Sequence, residues 1–228
     1  MDTAETIAFR RAFLGGLVLF VVGFIFGEGL PLFLFIFTRG RQVPFSKISG
    51  EAIAAFFCVN ILIKGLLLLF YTRWALSRDL FQGRFALSKW TVVISVIILL
   101  LSLILNLSFP QFKTNLLDSW NYFKRLYGLP LGLINTILQY VYYIFEGLVM
   151  IWIVDAFQTA GEIRLRKPGI PWGGIALAVL WGIGHIFTKG WLTGFLALLL
   201  GIAVGYCYLL DRKNVLAPLL FWMIYNIV

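Results

Sequence analysis

WTVVISVIILLLSLILNLSF, residues 90–109, runs for 20 residues without a charged side chain. As a helix it is about 30 Å long, the thickness of the hydrocarbon core of a bilayer. Comparable runs lie at 13–37, 52–71, 130–156, 172–188, 191–210 and 214–228, the last two short. Hydrocarbon offers no partner to a backbone amide, so each run must pair its own amides as a helix. The short alternating strands of a membrane barrel are absent. The predicted fold class is all-α, a polytopic transmembrane helix bundle of about seven spans, with 1–228 as a single membrane domain. Composition agrees, since the chain is 61% hydrophobic and 13% charged, with mean hydropathy +0.93, outside the range of soluble domains.

The run at 13–37 exceeds a signal-peptide core of about 7–15 residues and no small-residue cleavage site follows it, so it is read as a retained span. The net charge of +9 would point to nucleic acid in a soluble protein. Here the basic residues flank apolar runs, which makes membrane lipids the expected partners and excludes nucleic acid. Connections on the N-terminal side hold eleven Lys and Arg against seven on the other side, so the N-terminus is predicted to be cytoplasmic. Trp74, Trp90, Trp120, Tyr127, Trp172 and Trp191 fall near span ends, where interfacial aromatics collect. Cys58 and Cys207 lie inside apolar runs and read as packing residues. Residues 75–88 and 110–128 mix basic and aromatic side chains. Each reads equally as an amphipathic helix lying in the interface or as a solvated loop anchored by aromatics.

An ionisable side chain at mid-bilayer costs several kcal/mol unless it faces the bundle interior or water. Four positions therefore require an explanation. Glu28, in Gly27-Glu28-Gly29 ahead of Pro31, points to a broken or kinked helix and is a natural partner for Lys64 in the second span. Glu146 follows Gln139, Tyr142 and Tyr143, and the helical spacing places Gln139 and Tyr142 on its own face. A carboxyl group in such a stripe serves either as a general base or as a hydrogen-bonded packing residue. His185 is the one histidine of the chain. With no His or Cys at ligand spacing it forms no convincing metal site, so no metal is expected and any other cofactor is left open. Asn226 shares a helical face with Trp222, and an intramembrane Asn commonly hydrogen-bonds a neighbouring helix.

These residues, in this order, resemble the motifs of the CPBP family, the CAAX prenyl proteases and bacteriocin-processing proteins of Abi type. The resemblance covers residues 139–228. Phe145-Glu146-Gly147 stands where the family carries Glu-Glu-x-x-x-Arg. Trp181-Gly182-Ile183-Gly184-His185 is similar to Phe-x-x-x-His, and Trp222-Met223-Ile224-Tyr225-Asn226 to His-x-x-x-Asn, just after Val215-Leu216-Ala217-Pro218. The departures are one Glu in place of two, no Arg at the motif spacing, and Trp222 in place of the final His.

The resemblance implies an intramembrane endopeptidase in which Glu146 activates a water, His185 assists it and Asn226 donates to the oxyanion. Trp222, Tyr142 and Trp181 then become candidates for the substrate cavity or the oxyanion hole. It further implies a prenylated or transmembrane peptide as substrate or partner, and a prokaryotic plasma membrane as location. The departures keep a second reading alongside it, a catalytically inactive scaffold or immunity-type protein using the same cavity. A small transporter with a polar path through Glu28, Lys64 and Glu146 is a third, which the motif order disfavours.

Overall fold

A computed structural model describes residues 2–29, 48–86, 88–108 and 115–227. Its helices are α1 (Thr3–Phe20), α2 (Gly50–Leu76), α3 (Lys89–Ser108), α4 (Asn115–Tyr127), α5 (Leu131–Leu165), α6 (Trp172–Leu177), α7 (Ile183–Lys189), α8 (Trp191–Leu210) and α9 (Leu216–Ile227). Two stretches, Val21–Gly29 after α1 and Ala178–Gly182 between α6 and α7, wind as wider π-helix. No strand is formed among the described residues, where an isolated bridge pairs Arg84 with Asn214. Among the described residues, four helical stretches are long and apolar enough to cross a bilayer, namely Thr3–Gly27, Gly50–Leu76, Leu131–Leu165 and Trp191–Leu210. Trp172–Phe187 and Leu216–Asn226 are shorter apolar helices.

The protein is therefore an all-helical integral membrane bundle. Its outer surface is apolar, as lipid demands: Leu62, Leu66, Leu69 and Phe70 of α2 and Leu192, Phe195, Leu196 and Leu199 of α8 all face outward. In water such a surface would mark an interaction site, whereas in lipid it is the solvated face.

Helix α5 is the hub. Its 35 residues extend about 52 Å at 1.5 Å per residue, well beyond a hydrocarbon core of about 30 Å. Residues 151–160 are buried without interruption, so helices surround α5 on every side. Helix α1 and its π-helical continuation run antiparallel along it. A Cβ on Gly16 would stand 2.6 Å from the Phe157 ring, and one on Gly23 would stand 2.8 Å from Val149. Helices α6 and α8 pack with their backbones in contact, a Cβ on Gly205 meeting Gly174 Cα at 2.4 Å and one on Gly201 meeting Ala178 N at 2.8 Å. Gly201-Ile202-Ala203-Val204-Gly205 is thus a small-xxx-small contact of the kind that lets membrane helices approach closely.

At one end of the bundle the α2–α3 connection is clamped onto the α8–α9 connection. Arg84 N–H donates to the Lys213 carbonyl at 2.9 Å and Val215 N–H returns a bond to the Arg84 carbonyl at 2.8 Å. The Asp211 carboxylate accepts from Ser88 Oγ at 2.8 Å, from Asn214 Nδ2 at 2.6 Å and from the Thr91 hydroxyl. Burial pushes the Asp211 carboxyl up, but these hydrogen bonds and the Arg84 guanidinium outweigh it and hold the group below the ordinary carboxylate range. Lys213 Nζ pairs with Glu162 at 2.6 Å and so ties the clamp to the protruding end of α5. Residues 80–86 form no helix here, while 115–127 does, which separates two segments that composition alone left alike.

Candidate functional site

Glu146 lies near the middle of α5 and is 7% exposed. Its chain neighbour Gly147 explains what stands beside it. A Cβ at position 147 would lie 2.4 Å from Trp222 Cδ1 and 3.0 Å from Trp222 Nε1, so only the bare glycine lets the α9 indole lie against α5. The indole is 3% exposed, and its N–H donates to the Tyr143 carbonyl at 3.0 Å. Two of the sequence departures, Gly after Glu146 and Trp in place of His, are therefore one structural unit.

The second motif arrives from α6 and α7. Trp181, in the π-helical turn, meets Trp222 edge-on, with ring centroids 5.7 Å apart and planes at 77°. A π turn inserts one residue and re-aims the side chains that follow it, a device common at functional sites. The His185 ring packs on Trp181 at 4.2 Å, and its Nδ1 lies 3.1 Å from the Trp181 carbonyl. A carbonyl can only accept, so Nδ1 carries the proton in this contact. In the neutral ring Nε2 is left with its lone pair.

Asn226, one turn beyond Trp222, is buried and donates Nδ2–H to the Trp222 carbonyl at 2.9 Å. That bond uses one of its two amide hydrogens. Tyr140 on α5 donates to the Asn226 carbonyl at 3.3 Å, which fixes the end of α9 against α5. The structure thus lays α9 along α5, Trp222 at Tyr143 and Gly147 and Asn226 at Tyr140, with Trp181 on Trp222 and His185 attached through Trp181.

Tyr142, one turn before Glu146, faces α2. Its ring lies 4.4 Å from Lys64 Nζ, and Phe24 is 5.6 Å from the same ammonium. Lys64 also donates to Asn60 Oδ1 at 3.5 Å, and both residues are fully buried. Cation–π contacts of this kind gain weight when desolvated. The expected pairing of Lys64 with Glu28 lies outside the described residues, because the Glu28 side chain is among those not described. Val21–Gly29 winds as π-helix, and Pro31, where a break or kink is expected, lies outside the described residues. Helix α5 is thus flanked at this level by Lys64 of α2 against Tyr142 and by Trp222 of α9 against Gly147.

A second buried carboxylate, Asp155, has no role in the sequence reading. It lies nine residues further along α5 and is 1% exposed; its Oδ1 accepts from Gln82 N–H at 3.2 Å and from the Tyr208 hydroxyl. The signal was available, since an acid inside an apolar run always needs partners. Among the described residues no group of three or more His, Cys, Asp or Glu is gathered so as to hold a metal ion.

The sequence profile of the family described as type II CAAX prenyl endopeptidase Rce1-like matches residues 159–228. That stretch contains His185, Trp222 and Asn226, while Glu146 precedes it. The match supports membership of the CPBP family of CAAX proteases. No curated protein and no solved structure matches significantly.

Proposed function

We propose, from this membership in the CAAX-protease-like family of intramembrane peptidases, that the chain is an endopeptidase cleaving a prenylated or transmembrane peptide within or beside the membrane. The observation that carries the proposal is the seating of Trp222 on Gly147 and of Trp181 on Trp222. It joins segments from three distant parts of the chain at Gly147, the chain neighbour of the buried Glu146.

In this reading Glu146 takes a proton from water as the water oxygen attacks the scissile carbonyl carbon. Asn226 Nδ2–H donates to the oxyanion so formed. As the C–N bond breaks, the proton passes to the leaving nitrogen, giving a carboxylate and an amine, and His185 Nε2 assists the proton transfers. The Trp222 indole N–H already serves the Tyr143 carbonyl, so it adds no donor until that bond opens. One missing oxyanion donor costs about 10²–10³ in rate, and slow turnover follows.

The same bond favours a second reading, a non-catalytic member that holds its peptide partner in this cavity. Purified protein is incubated with prenylated and transmembrane peptides, alongside Glu146→Gln, Glu146→Ala and Trp222→His. The peptidase reading expects Glu146→Gln and Glu146→Ala to lose about 10²-fold or more, and Trp222→His to gain. Equal product from wild type and both Glu146 variants removes it. Peptide binding without product from wild type and Trp222→His establishes the second reading.

A further inference from the structure

Asn226 stands one residue from the end of α9, so its carbonyl is among the last four of the helix, which find no amide partner within it. Such a turn frays unless something outside the helix holds it. Here the Tyr140 hydroxyl of α5 does so, donating to the Asn226 carbonyl at 3.3 Å. Tyr140 is also hydrogen-bonded to Ser119 of α4. A phenol has one hydrogen, and Tyr140 has committed it to a carbonyl, so in the second bond Ser119 donates and Tyr140 accepts. Two hydroxyls therefore run in one chain, from Ser119 to Tyr140 to Asn226, and each bond in such a chain strengthens the next.

Local sequence places both hydroxyls. Gly128 takes φ +68°, the left-handed turn that ends α4, and α5 then runs back along α4. Gly132 brings the two backbones together, since a Cβ there would lie 2.8 Å from Lys124 Cα. Phe123 is buried and meets Phe57 of α2 edge-on, at 6.4 Å and 87°, which fixes the rotation of α4. Ser119 lies one turn before Phe123 on the same face. On α5 the Tyr140 ring stands edge-on to Tyr143 at 5.7 Å and 85°, and the Tyr143 carbonyl receives the Trp222 indole. The end of α9 is thus tied to α5 at two points, Trp222 and Asn226.

We infer that Tyr140 is a positioning residue for the oxyanion donor: by closing the last turn of α9 it aims the second amide hydrogen of Asn226, and Ser119 of α4 holds Tyr140 in place. The inference rests on the peptidase reading, in which Asn226 receives the oxyanion. The contact of 3.3 Å is long for a hydroxyl, as hydrogen bonds that serve catalysis commonly are before the reacting complex forms. A donor misplaced by about 1 Å costs up to about 10² in rate, so tying this turn matters to turnover.

The full chain in detergent is assayed on the same prenylated and transmembrane peptides. Tyr140→Phe should lower kcat about tenfold with KM unchanged, short of the loss of about 10²–10³ that follows removal of an oxyanion donor. Ser119→Ala should lower kcat less, and the double variant should be no slower than Tyr140→Phe alone. Asn226→Ala keeps the carbonyl and removes only the side chain, so Tyr140→Phe should cost nothing further in that background. An equal fall of kcat in both backgrounds overturns the inference and leaves Tyr140 as a structural tie. A raised KM with unchanged kcat also overturns it. If no variant cleaves any peptide, the peptidase reading fails, and the coupling is read from the Asn226 side-chain amide signals of asparagine-labelled protein, assigned by their loss in Asn226→Ala. These should shift in Tyr140→Phe and in Ser119→Ala but not in Tyr122→Phe, which removes a hydroxyl on the α2 side of α4. Unmoved signals overturn the inference whether or not the protein cleaves peptides. Ser119 is half-buried on α4, so Ser119→Ala remains folded and decides the matter even if Tyr140→Phe does not.

Discussion

At the scale of single residues, the contact between Gly147 and Trp222 governs the candidate site. Gly147→Ala places a Cβ inside the indole contact, and overpacking of this sort costs about 1–3 kcal/mol. Thermal unfolding in detergent should show that loss in Gly147→Ala. Adding Trp222→His removes the clashing ring, so the double variant should recover part of it and give a non-additive cycle. Additive effects would mean that the two positions do not act together. The individual polar residues were legible in sequence because an intramembrane charge has no neutral explanation. Their partners were not. Nothing in the spacing of Lys64 announces that Tyr142 and Phe24 lie against its ammonium, and nothing in Trp222 announces that its N–H is spent on Tyr143, since both depend on how helices far apart in the chain are rotated. Tyr142, one turn before Glu146 on the same helix, lies against Lys64 of α2.

At the scale of elements, apolar length alone predicted most of the helices, and their ends moved for physical reasons. The expected span at 13–37 begins instead at Thr3, because Asp2 caps it by accepting from Glu5 N–H at 2.7 Å. The fourth expected span, 130–156, continues as helix to Leu165, and Glu162 in the added stretch pairs with Lys213. The π-helical turns at Val21–Gly29 and Ala178–Gly182 leave no periodic trace strong enough to read. The close crossing of α6 and α8 carries the sharpest prediction here. Gly205→Val puts branched methyls where a Cβ already meets Gly174 Cα at 2.4 Å. With backbone on the far side the helices must separate, at a cost above about 2 kcal/mol, seen as a lowered unfolding temperature. Cys207→Val, on the half-buried flank of the same helix, should change it far less.

At the scale of the whole molecule, the clamp at Asp211 makes stability depend on acid. Its carboxyl titrates below its unfolded value, so the stabilisation it contributes is complete above that value, about 3.9, and is lost as pH falls through the lower, folded one. Unfolding followed below about pH 4 should therefore show a loss of stability in the wild type that Asp211→Asn lacks. An identical acid limb in the two proteins would assign the effect elsewhere. Above about pH 4 the variant should be weaker by about 1–3 kcal/mol, having lost charged hydrogen bonds to Ser88, Thr91 and Asn214.

The clamp also sets an order of events during synthesis. Helix α3 packs chiefly against α9, and Ser88 and Thr91 at its start wait for Asp211 and Asn214, more than a hundred residues downstream. While the ribosome is still translating the intervening helices, α3 is already made but has lipid or the insertion machinery as its main neighbour. Its assembly is completed only when the last helix leaves the ribosome, so a chain stopped short of Leu216 would present the cell with an unpaired span bearing polar groups, the kind of segment that membrane quality control removes.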